Sequence, residues 1–343
     1  DADDSGLLTI SAVGTLVIST DAGTPVAALV AVGATGTSGV DFAKFKLAAA
    51  NEQVNVESVV VTLPQDNNTG GDNNDVPNFA SLSLVNGVSS ATVYPTGSND
   101  AAARTFTFTF NPALEIPKDG NVVLTLRAEM NGTSNQANST TTPKFTIAAN
   151  TDVTSKGDSS GTSITASGTA TGANEMTIVK TKPTFALVTA ASTQLIAGVT
   201  EVIRFTITAD AGNDVLFNGT NHNMRFTVAS NFTDTATSTA NLYDAATDLI
   251  IATQVTIDGS GGTDGLKNGA FIDFVTASVT IPAGGSKEFY VTADLAAFTT
   301  ADNFIRLDIA NAALDLSWGD GVTTDISSIL TNGLPLIGGT LIR

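Results

Sequence analysis

Apolar and polar residues alternate with a period of two along most of the chain, and the opening stretch GLLTISAVGTLVIST sets the pattern. Leu8, Ile10, Ala12, Gly14, Leu16 and Ile18 fall on one face, and Leu7, Thr9, Ser11, Val13, Thr15, Val17 and Ser19 on the other. That is the signature of a half-buried β-strand. If continuous it covers about a dozen residues against a usual length of roughly 5–6, enough to serve two sheets, of one molecule or of two. The alternation is clearest in RTFTFTFNP, where Phe106, Phe108 and Phe110 oppose Thr105, Thr107 and Thr109. It recurs in VDFAKFKLAA, VNVESVVVTLP, NVVLTLRAEM, EVIRFTITAD, NMRFTVAS, SKEFYVTADL and NFIRLDIANA, separated by clusters of Ser, Thr, Asn, Gly and Asp. Short strands with polar connections predict an all-β chain of sandwiches or barrels.

Laying the second half over the first exposes an internal repeat. VDFAKFKLAA answers to EVIRFTITAD, FASLSLVNG to STANLYDAA, LEIPKDGNVVLTLRAEM to VTIPAGGSKEFYVTADL, and KFTIAANTDVTSKGD to RLDIANAALDLSWGD. The blocks keep their order at an offset of about 160 residues, as duplicated domains do. Two tandem antiparallel β-sandwich domains are therefore expected, over 15–175 and 176–343, with residues 1–14 as an N-terminal extension and candidate donor strand. TSKGDSSGTSITASGTATGANEM, between the copies, reads either as a flexible linker or, through the alternation in SITASGTA, as a closing strand of the first domain. TIVKTKPTFALVTA is expected to take the place in the second copy that GTLVISTDAGTPVAALVA takes in the first.

Composition narrows the function classes. The 343 residues include no Cys, which removes disulfides, thiolate metal sites and cysteine nucleophiles. The net charge of −18 comes from 33 acids against 15 bases, and 26 of the acids are Asp, a residue of turns and strand ends. Such a chain lacks the basic footprint of a nucleic-acid partner and is repelled by anionic lipid. No apolar run approaches the roughly 18 residues of a membrane-spanning helix, so neither nucleic-acid binding nor membrane insertion is expected. DADDSG looks like a mature N-terminus left by signal-peptide removal, which gives an extracellular or cell-surface expectation.

Candidate chemistry is sparse. His222, alone in NGTNHNM, has no second imidazole or thiol for a metal site or a catalytic triad, and a turn residue is the competing reading. Paired carboxylates could serve glycoside hydrolysis, yet Asp is expected in these turns and Glu is scattered. Oxygen-rich loops suit calcium, which takes 6–8 hard oxygen ligands. Asp66, Asp72 and Asp75 form the first trio, followed by Asp258 with Asp264 and by Asp315, Asp320 and Asp325, with ordinary turns as the alternative. Five Asn-x-Ser/Thr sequons, at Asn67, Asn131, Asn138, Asn218 and Asn231, are candidate glycan sites. Lys44 and Lys46, beside Phe42 and Phe45, read as snorkelling lysines on an edge strand rather than partners of an isopeptide link. Trp318, Tyr94, Tyr243 and Tyr290 are too dispersed to mark a sugar-stacking platform and default to core or rim packing.

The pattern TLVISTDAGTP…VDFAKFKLAAANEQVNVESVVVTLP, with NLYDAATD, TIPAGGSKEFYVTADL and TNGLPLIGGTLIR, resembles secreted immunoglobulin-like repeat proteins of bacterial surface layers and extracellular filaments, of the candidate-phylum type. The resemblance implies immunoglobulin-like sandwiches in an exported, non-enzymatic, polymeric protein whose partners are copies of itself. On that footing Leu7, Leu8, Ile10, Ala12, Val13, Leu16 and Ile18 are the expected assembly interface. An N-terminal strand added to a neighbour's sheet edge repeats head to tail into a filament. Two alternatives stand beside it: the strand completes its own first domain, or Leu16 and Ile18 stay home while Leu8 and Ile10 reach out across Gly14. The other function class is a secreted adhesin or carbohydrate-binding module that meets cell-surface glycans through acidic, calcium-binding loops.

Overall fold

The computed structural model describes residues 13–64, 78–95, 104–135, 140–172, 174–189, 193–217, 224–232, 239–258, 266, 268–274, 278–310, 316–321, 323, 326–327 and 331–343. The chain divides into two compact units, one of residues 1–30 and 36–177, the other of residues 31–35 and 178–343. Each is an antiparallel β-sandwich, so the chain is a pair of all-β domains in tandem.

The first unit contains β1 (Thr15–Thr20), β2 (Ala28–Ala31, at the division), β3 (Thr37–Ala50), β4 (Val54–Leu63), β5 (Phe79–Val85), β6 (Ser90–Val93), β7 (Arg104–Ile116), β8 (Asn121–Met130), β9 (Val153–Gly157) and β10 (Ser163–Ile164). One sheet runs β1-β3-β8-β5-β6 and the other β10-β9-β4-β7. Alternation dictates the faces: in β7 Phe106, Phe108 and Phe110 are buried while Thr105, Thr107 and Thr109 are exposed. The inward rows of the two sheets make the core, where the Phe42, Phe79 and Phe145 rings meet edge to face with centroids 5.4–5.6 Å apart. Burying one such side chain is worth about 1.5–3 kcal/mol relative to exposure.

The second unit repeats the plan in register. Its strands are β11 (Met176–Val179, across the division), β12 (Pro183–Leu187), β13 (Val199–Ala209), β14 (Val215–Phe217), β15 (Met224–Ser230), β16 (Ala240–Asp244), β17 (Leu249–Asp258), β18 (Phe271–Phe274), β19 (Val279–Ile281), β20 (Ser286–Asp294), β21 (Phe304–Ile309), β22 (Ser317–Trp318), β23 (Ile326–Ser327), β24 (Leu336–Ile337) and β25 (Leu341–Ile342). The order β12-β13-β20-β16-β17 matches β1-β3-β8-β5-β6, and β15 lies beside β18 as β4 lies beside β7; on the other side of β15, β21 and the Met224–Leu316 bridge take the places that the Thr62–Thr146 bridge and β9 take beside β4. The match extends to single residues: Ser155 faces Ile164 as Ser317 faces Ser327, and Val17 bridges Ser167 in parallel as Thr184 bridges Asn332. β12 thus stands where β1 stands, the role expected of TIVKTKPTFALVTA.

One element differs between the halves. In the second unit β17 pairs through Leu249–Thr253 with β16 and through Gln254–Asp258 with β18, so a single strand belongs to both sheets and closes that side. Its counterpart β6 ends at Val93, followed by Tyr94 and Pro95. Pro95 brings no backbone N–H to continue a ladder.

One expectation needs correcting, and one open alternative is decided. β3 lies between β1 and β8, so Lys44 and Lys46 sit on the half-exposed outer face of an interior strand, not on an edge. The Ser/Gly/Thr-rich stretch after Asp158 is part of the first sandwich: it supplies β10 and the bridges from Ser167 and Ala170. Its alternation, rather than its composition, decides its fate.

Candidate assembly surface

β1 begins just after Gly14. Thr15–Thr20 pairs antiparallel with Phe45–Ala50, burying Leu16 and Ile18 to 1% and 2% exposure. On the other side the Ile18 N–H donates to the Ser167 carbonyl and the Ser167 N–H to the Leu16 carbonyl, each at 2.8 Å. Gly168 permits this closeness, with φ of 79° and space for a Cβ only 2.5 Å from the Ile18 carbonyl oxygen. Leu16 and Ile18 therefore complete their own sandwich, which corrects their assignment to the face of a donated strand. Val13 is 55% exposed. Leu7, Leu8, Ile10 and Ala12 lie outside the described residues.

Glu52, in the turn before β4, anchors the start of β1. Its carboxylate is buried and accepts hydrogen bonds from the Gly14 N–H at 2.8 Å, the Ser160 N–H at 2.9 Å, the Ser160 hydroxyl at 2.8 Å and the Ser159 N–H at 3.1 Å. The Gly14 N–H first, then the Ser160 donors, hold this carboxyl below its ordinary value of 4.5 against the opposing effect of burial. The second unit solves the same problem with another residue. Asp320, fully buried after β22, accepts the Lys180 N–H at 2.9 Å and the Thr323 N–H at 2.7 Å. A carboxylate thus ties the entry of the first strand to the turn after β9 or β22 in each half. Nothing in the sequence pattern distinguished Glu52 from a solvated loop acid.

The outer edge of β7 is the second feature. Residues 105–109 pair on one side with Ser58–Thr62 of β4; on the other side β6 lies alongside β7 with no hydrogen bond between them among the described residues. The stretch holds no charge, Pro or Gly; Pro112 comes only after it, where the register with β4 shifts.

The other sequence candidates fare as follows. Asp66, Asp72, Asp75, Asp264, Asp315, Asp325, His222 and the sequons at Asn67, Asn138 and Asn218 lie outside the described residues, as does the side chain of Asp258. Asp320 turns oxygens to backbone donors. Among the described residues no group of three or more His, Asp or Glu is placed to hold a metal ion. Asn231 donates to the Asp302 carbonyl at 2.9 Å and accepts the Phe304 N–H at 3.0 Å. The Asn131 N–H donates to the Asn78 carbonyl at 2.8 Å. Trp318 is core, while Tyr94 is 73% exposed.

Tyr243 and Tyr290, distant in sequence, meet across β16 and β20, with ring centroids 4.7 Å apart and planes 3° from parallel. Arg204 lies 4.8 Å over the Tyr290 ring, itself held by Glu201 and Glu288. Tyr290 thus meets both the Tyr243 ring and the guanidinium, and Tyr243 stacks on Tyr290. Burial, reinforced by the hydrogen bond to Asp248, pushes the Tyr290 hydroxyl up.

No family model and no curated protein sequence matches the chain. Similar solved structures include the C-terminal domain of the AgI/II polypeptide BspA of Streptococcus agalactiae, at 8% identity over 86% of this chain and 94% of that one, with a TM-score of 0.20. The collagen adhesin of S. aureus is 10% identical over 93% and 90%, with a TM-score of 0.16. A putative membrane anchored protein of Corynebacterium diphtheriae is 11% identical over 96% and 94%, with a TM-score of 0.18. These neighbours are bacterial surface-protein domains, and the sandwich architecture of this chain stands on its own strand pairing. Among the described residues no helix is long and apolar enough to cross a membrane.

Proposed function

We propose that this chain is a non-enzymatic structural subunit of an extracellular filament or surface lattice, joined to copies of itself by β-strand addition of the segment before Gly14. The supporting observation is the pairing of β1: Thr15–Thr20 has β3 on one side and Ser167 on the other, so β1 is held on both sides by its own unit. In the sequence the alternation continues N-terminal to it through residues 7–12. A strand of this pattern gains main-chain hydrogen bonds and apolar burial on a neighbour's edge. Because donor and acceptor surfaces differ, the contact repeats head to tail.

The test compares the intact chain with one lacking residues 1–12, which keeps Gly14 for Glu52, by negative-stain electron microscopy and light scattering after dilution from denaturant. Polymers from the intact chain and folded monomers from the shortened one are expected. Folded monomers from both would overturn the reading and direct attention to ligands of the acidic loops.

A further inference from the structure

We propose that a concavity on the outer face of the first sheet binds a sugar acid, a pyranose ring bearing one carboxylate, as at the end of an acidic glycan. The concavity has a volume of about 460 Å³ and is lined by the cross-strand row Lys44, Thr125 and Val85. That volume lies in the range of sites that take small ligands. The inference is independent of strand addition.

The repeat shows what this row lacks. Lys44 lies opposite Thr125 and Thr125 opposite Val85, at the places where Arg204 lies opposite Tyr290 and Tyr290 opposite Tyr243 in the second unit. There the stacked rings cover the outer face, and Glu201 and Glu288 hold the guanidinium. In the first unit threonine and valine replace both rings. Val123 stands in the place of Glu288, and Asp41, in the place of Glu201, is held instead by Arg127 at 2.7 Å. Among the described residues the Lys44 ammonium makes no ion pair or hydrogen bond. A ligand that supplies what the second unit carries covalently brings a ring and a carboxylate.

The rest of the lining favours a sugar ring over an aromatic one. The Asn86 Oδ1 accepts the Val88 and Ser89 N–H groups, which leaves its Nδ2 to donate to a ligand. Arg127 uses Nε and Nη2 on Asp41 and keeps Nη1, while Asp21 uses Oδ1 on the Gly23 N–H and keeps Oδ2. These groups match ring hydroxyls, and Val85 and Val123 offer apolar surface to the C–H face. An aromatic acid would desolvate them without replacing their hydrogen bonds. The net charge of −18 opposes a polyanion, so a single terminal acid suits the site better than a chain of them.

The intact chain is titrated with sodium D-glucuronate, D-glucose and sodium benzoate, followed by ligand-observed nuclear magnetic resonance. Glucuronate should bind at least about tenfold more tightly than either control, the scale of one charge-assisted hydrogen bond. Lys44→Gln should weaken glucuronate by a similar factor at unchanged melting temperature, and Lys156→Gln, which alters net charge equally, should not. Val85→Tyr combined with Thr125→Tyr, which rebuilds the second unit's pair of rings, should abolish binding. Benzoate binding as tightly as glucuronate would overturn the sugar assignment. Undiminished affinity in Lys44→Gln would overturn the site, and absence of saturable glucuronate binding to the intact chain would overturn both.

Discussion

Glu52 illustrates how a single side chain sets the stability of a strand's first residue. Its carboxylate is lowered from 4.5 in the folded chain by the Gly14 and Ser160 donors, so its contribution is full above 4.5, the unfolded value, and is lost as the pH falls through the lower folded value. Wild-type protein should therefore lose stability on acidification below 4.5 more steeply than Glu52→Gln, with equilibrium unfolding at several pH values as the measurement. Gly168 and Gly333 make a matched pair at the other flank of the first strands, with φ of 79° and 80° and with added Cβ atoms directed at the Ile18 and Phe185 carbonyls. Alanine at either position should cost about 1–2 kcal/mol for the left-handed backbone alone, more with the contact included, as read from denaturant midpoints. Arg225 and the nearly buried Asp273 form a two-point ion pair across β15 and β18. Asp273→Ala leaves that guanidinium partly buried without this partner and should destabilise by about 3 kcal/mol, whereas loss of the exposed Lys156–Glu57 pair should cost no more than about 1 kcal/mol.

At the scale of elements, the aromatic cores respond to truncation according to how many rings share a centre. Phe205 on β13 meets Phe185, Phe226 and Phe289 with centroids 6.3, 5.8 and 5.7 Å away. Phe205→Ala should cost about 3–5 kcal/mol, measured by unfolding followed at near-ultraviolet wavelengths. The strands that build these cores were readable because one sheet face is buried and the other wet, which writes a period of two into VDFAKFKLAA and RTFTFTF. The order of the repeated blocks was readable for the same reason, since topology follows the order of strands. What escaped reading depends on partners rather than on pattern. Alternation in LIIATQVTID does not say that β17 changes sheets midway, because each half pairs with a different neighbour. The Tyr243–Tyr290 stack follows from β16 lying beside β20, a fact of sheet order. Glu52 lay hidden because a turn acid acquires its meaning from backbone donors brought to it by β1 and β9.

For the whole molecule, a net charge of −18 opposes any contact between copies. Screening shortens the reach of that repulsion from about 30 Å at 0.01 M salt to about 8 Å at 0.15 M. Assembly by strand addition should consequently strengthen with added sodium chloride, giving larger particle mass by light scattering. An attraction between opposite charges would weaken instead. The in-register duplication carries a further consequence, for how the chain reaches its native state. Two halves with one strand order can trade strands while folding, a failure typical of tandem domains. Leu16 and Ile18 of β1 stand opposite Ala49 and Leu47, where Pro183 and Phe185 of β12 stand opposite Ala209 and Ile207. A phenylalanine forced into the place of Ile18 overpacks that core by about 1–3 kcal/mol. The first half thereby rejects the second's opening strand, and divergence at a buried position helps to sort the twins during folding.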